Sequence, residues 1–131
     1  MLGRNIDQVG WPSCGEIDIL EAVNEENKAY ATCHWNSNGH AEYGLSSGYF
    51  DVTQFHTYSL YWDRERIQAF VDNNKIYEIN IRDGTGNTWA FHNRFFLILN
   101  VAVGGNWPGW NIDNNRLPAE MLVDYVRVYQ P

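Results

Sequence analysis

Apolar and polar residues alternate with a period of two along most of this 131-residue chain. Because successive side chains of a strand point to opposite faces, this period predicts strands and not helices. Residues 95–103 are apolar on both faces and predict a central strand, while residues 36–49 and 82–93 are predicted to be loops. The pattern therefore predicts an all-β fold of two packed antiparallel sheets. The alternating strands are predicted at residues 16–21, 28–35, 56–63, 66–72, 75–81 and 121–130.

The first of these strands carries three carboxylates. Glu16 and Asp18 project from one face, and two isoleucines project from the other. Glu21 would fall on the isoleucine face of a regular strand, which is a poor environment for a carboxylate. A β-bulge at Ile19 and Leu20 would return Glu21 to the acidic face, and bulges often re-aim side chains beside active sites. We therefore expect three carboxylates in a row on one bulged strand.

Two such glutamates suit a retaining glycosidase, whose carboxyl groups lie roughly 5 to 5.5 Å apart. One attacks the sugar, and the other protonates the leaving oxygen. Asp18 between them would raise the pKa of at least one glutamate by like-charge repulsion. An ordinary solvated strand face with surface acids explains the same residues, and the motif alone leaves both interpretations open.

Composition narrows the range of partners. The net charge of −7 and the pI near 4.9 argue against nucleic acid or an anionic membrane as partner, and the 15% aromatic residues favour a flat neutral ligand. No apolar run reaches the length of a membrane span. Cys14 and Cys33 would be offset in a hairpin of their two strands, so two free thiols are favoured over a disulfide. Zinc at these cysteines is improbable, because no other cysteine or clustered histidine accompanies them.

Other candidate residues lie on neighbouring segments. Antiparallel pairing would set His34 opposite the acidic strand, where we expect it to donate a hydrogen bond to a carboxylate. Trp11 could stack on a sugar face or could plug the end of the sandwich. Asn100, in a run with small residues, could contact a ligand, although a buried structural asparagine is the stronger explanation. Trp107 lies in a glycine-rich turn, and Asp124 interrupts an apolar run, which suggests a paired carboxylate or a calcium ligand.

Five motifs in this order resemble glycoside hydrolase family 16, and in particular its laminarinases, the endo-β-1,3-glucanases. The resemblance implies a β-jelly-roll of the concanavalin A-like type, a retaining double displacement and a β-1,3-glucan substrate, with no cofactor for catalysis. It implies Glu16 as nucleophile, Asp18 as the residue that positions it, and Glu21 as general acid/base. Trp11 and Trp107 would hold glucose rings. The motifs are GWPSCGEIDILE at 10–21, TCHW at 32–35, FHTY at 55–58, LNVAVGGNW at 99–107 and MLVDYVRVY at 121–129.

The chain departs from the family in length, because members usually run to about twice this size. We therefore expect residues 1–131 to be a partial catalytic domain, a jelly-roll lacking its N-terminal strands. Exposed sheet edges would favour self-association or a complementary chain. Asp124 matches a structural calcium position of the family, although its partner ligands are not found here.

The resemblance implies an extracellular, secreted enzyme. Two alternatives stay open: a non-catalytic β-glucan-binding protein, and an inactive fragment of the same fold. The presence of both Glu16 and Glu21 argues against the first alternative, since such binding proteins typically lose the catalytic acids.

Overall fold

The computed structural model describes residues 1–130. These residues divide into two units, 1–98 and 99–130. Each unit is described by itself. Within residues 1–130, none of the helices has the length and apolar character needed to cross a membrane.

The first unit is built on two antiparallel sheets. The elements are β1 (Leu2–Gly3), α1 (Ile6–Val9), β2 (Glu16–Glu21), β3 (Tyr30–Asn36), β4 (His40–Ser46), β5 (Tyr58–Trp62), β6 (Arg66–Val71), β7 (Asn74–Asn80), a 3-10 segment (Arg82–His92) and β8 (Phe95–Phe96). One sheet has five strands in the order β4-β3-β2-β1-β8, and the other has three in the order β5-β6-β7. The second sheet confirms the three strands predicted at residues 56–63, 66–72 and 75–81.

The two sheets of the first unit bury their apolar faces in one core. Ile17 of β2 and Cys33 of β3 are fully buried, as is Ile67 of β6. These positions are the apolar members of the alternating strands, so the two-residue period predicted the buried faces correctly. Indole groups at the core margin also hold the 3-10 segment. Trp35 donates a hydrogen bond to the Gly86 carbonyl at 2.8 Å.

Residues 36–49 were predicted to form a loop, and this prediction is wrong for most of the segment. Strand β4 pairs with β3 along its whole length, from Tyr30 opposite Ser46 to Asn36 opposite His40. The segment is polar because β4 is an edge strand of the described sheet and most of its side chains are exposed. Backbone hydrogen bonds to β3, together with a short apolar face of the alternate residues Ala41, Tyr43 and Leu45, make this segment a strand.

Two apolar segments predicted as strands are largely not strands. Of residues 95–103 only Phe95 and Phe96 join a ladder, with β1, and residues 121–130 contain no strand. A strand is held by hydrogen bonds to a neighbouring strand, and no other part of residues 1–130 pairs with these segments. Apart from Phe95, which packs against the core, their large apolar side chains are between 41% and 82% exposed. Within residues 99–130 the structure has one short 3-10 helix, Asn114–Arg116.

Candidate active site

The predicted bulge lies in the middle of the acidic strand. Glu16 pairs with His34, Asp18 pairs with Thr32, and the register then shifts so that Glu21 pairs with Tyr30. Three residues of β2 thus advance against two of β3, which is the count of a β-bulge. The shift brings Glu21 to the face that Asp18 occupies, as the alternation had required.

Glu21 is partly buried against the neighbouring strand. The Thr32 hydroxyl donates a hydrogen bond to Glu21 Oε2 over 3.4 Å. Burial raises the pKa of Glu21 above its usual value, and the negative charge of Asp18 raises it further. The nearby His34 ring and the threonine hydroxyl oppose this shift only in part. A carboxyl group in this environment keeps its proton to higher pH than an exposed glutamate does.

His34 lies where the antiparallel register had placed it. Its Nε2 is 3.3 Å from Asp18 Oδ2, and the hydrogen bond to Asp18 raises the pKa of the imidazole above its usual value. The imidazole is largely shielded, with 18% of its side chain exposed, so it holds the aspartate from a semi-enclosed position. The predicted contact between His34 and a carboxylate is confirmed.

Trp11 is placed by the turn that follows α1. Its indole Nε1 donates a hydrogen bond of 2.6 Å to Glu16 Oε2. The ring is 49% exposed, so it does not plug the sandwich, and one of the two explanations drawn from the sequence is wrong. The exposed face leaves sugar stacking as a prediction, and the bond to Glu16 adds an interaction that sequence reasoning did not anticipate.

A glycine allows the acidic strand to start close to the core. Gly15 has a φ of +79°, and an added Cβ would lie 2.9 Å from Ala90 Cβ and 3.0 Å from Phe95 Cζ. Both the left-handed conformation and the lack of space exclude a larger residue here. The position just before Glu16 is therefore held by backbone geometry as well as by strand pairing.

Two residues of β4 also reach this group and were missed. His40 Nε2 is 2.9 Å from His34 Nδ1, and Glu42 Oε2 is 3.4 Å from the same nitrogen. A signal was available in the sequence. His40 and Glu42 are two residues apart and follow a Ser-Asn-Gly turn, and this spacing places both side chains on one face if the segment is a strand. The loop prediction concealed it.

The remaining predicted residues lie in the second unit. Asn100 and Asp124 are exposed and belong to no strand, and Trp107 is 51% exposed in the turn that the Gly105–Gly109 bridge closes. The prediction that Asn100 is a buried structural residue is therefore wrong. Groups of three potential metal ligands within residues 1–130 do not include Asp124. Its calcium role, and the ligand contacts of Asn100 and Trp107, stay predictions.

Both cysteines are buried free thiols, which confirms that prediction. Burial raises the pKa of Cys33 to about 12, against the partial effect of its contact with the Tyr77 hydroxyl at 3.0 Å. These thiols contribute to the core and not to the acidic face, because Cys33 projects from the buried side of β3.

Comparison with known proteins identifies the family. The model of glycosyl hydrolases family 16 matches residues 5–127. The chain is 41% identical to the clotting factor G alpha subunit of Tachypleus tridentatus, over 99% of this chain and 20% of that protein. It is 42% identical to a keratan-sulfate endo-1,4-beta-galactosidase of Sphingobacterium multivorum, over 92% of this chain and 29% of that protein.

A solved structure agrees in fold. The laminarinase catalytic domain of Thermotoga maritima MSB8 superposes with a TM-score of 0.76 at 36% identity, covering 87% of this chain and 49% of that chain. The chain thus spans half or less of the length of these relatives. The likeness confirms the all-β jelly-roll architecture expected from the five motifs. With the family model matched over nearly all of its length, the chain belongs to glycosyl hydrolase family 16.

Proposed function

We propose that residues 1–131 are part of the catalytic domain of a retaining endo-β-1,3-glucanase. The observation that carries this proposal is the bulged strand β2, which presents Glu16, Asp18 and Glu21 on one face with the pKa of Glu21 raised. A retaining glycosidase needs one ionised carboxylate to attack and one protonated carboxyl to donate. Burial and the neighbouring charge of Asp18 favour the protonated form of Glu21, as the proton donor requires.

Glu16 acts as the nucleophile in this mechanism. Its carboxylate attacks the anomeric carbon while Glu21 transfers its proton to the departing glycosidic oxygen, so that a covalent glycosyl-enzyme forms and the leaving sugar departs neutral. Glu21, now ionised, takes a proton from water as the water attacks the same carbon. Hydrolysis of the ester then restores both groups, with net retention of configuration.

Neighbouring side chains orient these carboxyl groups. The Trp11 indole holds one oxygen of Glu16, and His34 holds Asp18 between the two glutamates. The negative charge of Asp18 raises the pKa of Glu21 and so helps to retain the proton that catalysis requires. Family 16 hydrolases need no cofactor for catalysis, and the proposed steps use side chains and water alone.

Laminarin is the proposed substrate, supported by the likeness to a laminarinase catalytic domain. Asn100 and Trp107 are proposed to contact the polysaccharide, and Asp124 to bind a structural calcium ion. A polymeric substrate implies an extracellular site of action. Self-association, or pairing with a complementary chain, is proposed to cover the exposed apolar segments of residues 97–103 and 121–129.

The test is release of reducing ends from laminarin at about pH 5 to 7, near the range in which a raised glutamate pKa is useful. Keratan sulfate and agarose run in parallel, because a relative of similar identity is a keratan-sulfate galactosidase. Proton NMR of the first product reports the anomeric configuration. We expect laminarin cleavage with retention. Inversion, or cleavage of keratan sulfate alone, would overturn the proposed mechanism or substrate respectively.

Substitutions distinguish the proposed roles of the two glutamates. Glu16→Gln is expected to lower kcat by about a thousandfold or more, since no covalent intermediate can form. Glu21→Gln is expected to lose laminarin hydrolysis but to keep the first step on an aryl glycoside whose leaving group needs no proton. Glu120→Gln, at an exposed position of the second unit, is the matched control and should match the unsubstituted chain.

If the chain shows no hydrolase activity, binding assays distinguish the two alternatives to a hydrolase. If a folded sample releases nothing from any polysaccharide but is retained on insoluble β-glucan, the non-catalytic binding protein replaces the proposed hydrolase. If it is neither active nor retained, the inactive fragment does. Circular dichroism establishes that the sample is folded in either case.

A further inference from the structure

Three side chains on the β3–β4 hairpin direct donor atoms to a common point. His34 lies directly opposite Glu42, and His40 lies two residues before Glu42 on the same face of β4. The donor atoms are His34 Nδ1, His40 Nε2 and Glu42 Oε2, and they all lie within 4.8 Å of one another. Two imidazoles and one carboxylate are a common protein ligand set for zinc.

The spacing of these atoms matches a tetrahedral site. His34 Nδ1 and His40 Nε2 are 2.9 Å apart, and Glu42 Oε2 is 3.4 Å from the first and 3.7 Å from the second. Zinc bonds to nitrogen and oxygen of about 2.05 Å imply ligand atoms about 3.3 Å apart at the corners of a tetrahedron. The three observed edges lie on both sides of that value. Small side-chain rotations would therefore be enough to close the site.

The tautomer of His34 also suits a metal. Its Nε2 faces Asp18 Oδ2 at 3.3 Å, so the proton of a neutral ring belongs on Nε2 and the lone pair on Nδ1. Histidines that bind metals usually donate their other ring N–H to a carboxylate or a carbonyl, which fixes the ring and raises its basicity. His34 already has this outer partner.

Access and charge favour a cation. The side chains of His40 and Glu42 are 41% and 61% exposed, so an ion can reach them from solvent. The chain carries a net charge of −7, and three further carboxylates lie on the adjacent strand β2. Without an ion, His34 and His40 share a proton across 2.9 Å, and a metal would take the place of that proton.

We propose that His34, His40 and Glu42 form a binding site for a divalent transition-metal ion of the zinc class, with water completing a tetrahedral shell. The site is separate from the proposed catalytic pair, since none of its donor atoms belongs to Glu16 or Glu21. It does not depend on the proposed hydrolase activity, and its test needs no substrate.

Cobalt and zinc serve as probes on untagged protein at about pH 8, where most imidazoles are neutral. Co²⁺ gives intense visible absorption in tetrahedral coordination and weak absorption in octahedral coordination. Calorimetric titration with ZnCl₂ gives stoichiometry and affinity. We expect one ion per chain, tetrahedral cobalt bands, and displacement of cobalt by zinc.

Variants locate the ion. His40→Ala and Glu42→Gln should each weaken zinc binding by at least about tenfold, because even the loss of a partner that only orients a ligand costs about 10- to 100-fold. Both positions are exposed on an edge strand, so the fold should tolerate them, and circular dichroism checks each variant. Glu120→Gln removes one negative charge elsewhere and should bind zinc as the unsubstituted chain does.

Three results would overturn the proposal. The first is the absence of stoichiometric binding to the unsubstituted chain. The second is a zinc affinity of folded His40→Ala and Glu42→Gln proteins equal to that of the unsubstituted chain. The third is loss of binding in Glu16→Gln with unchanged binding in His40→Ala, which would place the ion on Glu16, Asp18 and the other nitrogen of His34.

Discussion

The bond from Trp11 to Glu16 gives a sharp test of how the proposed nucleophile is held. Trp11→Phe keeps an aromatic face but removes the only N–H that the indole can donate. The bond is 2.6 Å long, and the indole is 49% exposed. Hydrogen bonds to charged groups contribute about 1.5 to 3 kcal/mol, and water can replace part of this one, so we expect a loss of about 1 to 2 kcal/mol. That loss corresponds to about a 5- to 30-fold lower kcat.

The assay measures kcat and KM separately on laminarin. If the indole positions Glu16, kcat falls while KM stays within about twofold of the unsubstituted value, because the phenyl ring still offers a stacking face. Trp89→Phe is the matched control, since Trp89 is a similarly exposed indole on the 3-10 segment, packed near His92. It should leave both constants unchanged.

Two outcomes would contradict this reasoning. A kcat in Trp11→Phe within about twofold of the unsubstituted value would mean that the hydrogen bond does not position the nucleophile. A raised KM with unchanged kcat would instead assign Trp11 to uniform substrate binding, in keeping with a sugar platform.

Further predictions concern charge, packing and thiol burial. Asp18→Asn removes the negative charge that helps to raise the pKa of Glu21, so that pKa should fall. The alkaline limb of the pH profile of kcat should then move to lower pH. An unmoved limb would contradict the assignment of Glu21 as the general acid. Ile17→Val in the core should lower the free energy of unfolding by about 0.5 to 1.5 kcal/mol with an unchanged m-value in urea. Cys14 and Cys33 should resist a disulfide reagent at about pH 8 until the chain is unfolded, because burial raises both thiol pKa values. Rapid labelling of the folded protein would refute their burial.

The acidic strand shows how much of the site could be predicted from the period of apolar and polar residues. Glu21 broke a two-residue alternation, and only an inserted residue could restore it without burying a carboxylate, so the bulge was predictable from local physics. The position of His34 followed from pairing two adjacent strands across a short turn. Both inferences needed only neighbours in sequence and the regular geometry of an antiparallel pair.

The hydrophobic pattern did not predict every strand correctly. Strand β4 has only a short apolar face, Ala41, Tyr43 and Leu45, among glycine and polar residues, and its backbone groups pair with β3. Conversely, residues 97–103 and 121–130 have strong strand patterns but no partner within the described chain, and they form no strands. Strand formation depends on both members of a pair, whereas hydrophobic pattern describes one member alone.

The sequence by itself determined the family, the all-β class, the buried faces of the alternating strands and the row of three carboxylates. Each of these depends on residue identity and on a period of two along a single segment. Tertiary structure decided the contact of Trp11 with Glu16 and the convergence of His34, His40 and Glu42. Those contacts depend on which strands pair and on how a turn folds back, and both are set by backbone hydrogen bonds that side-chain pattern does not encode.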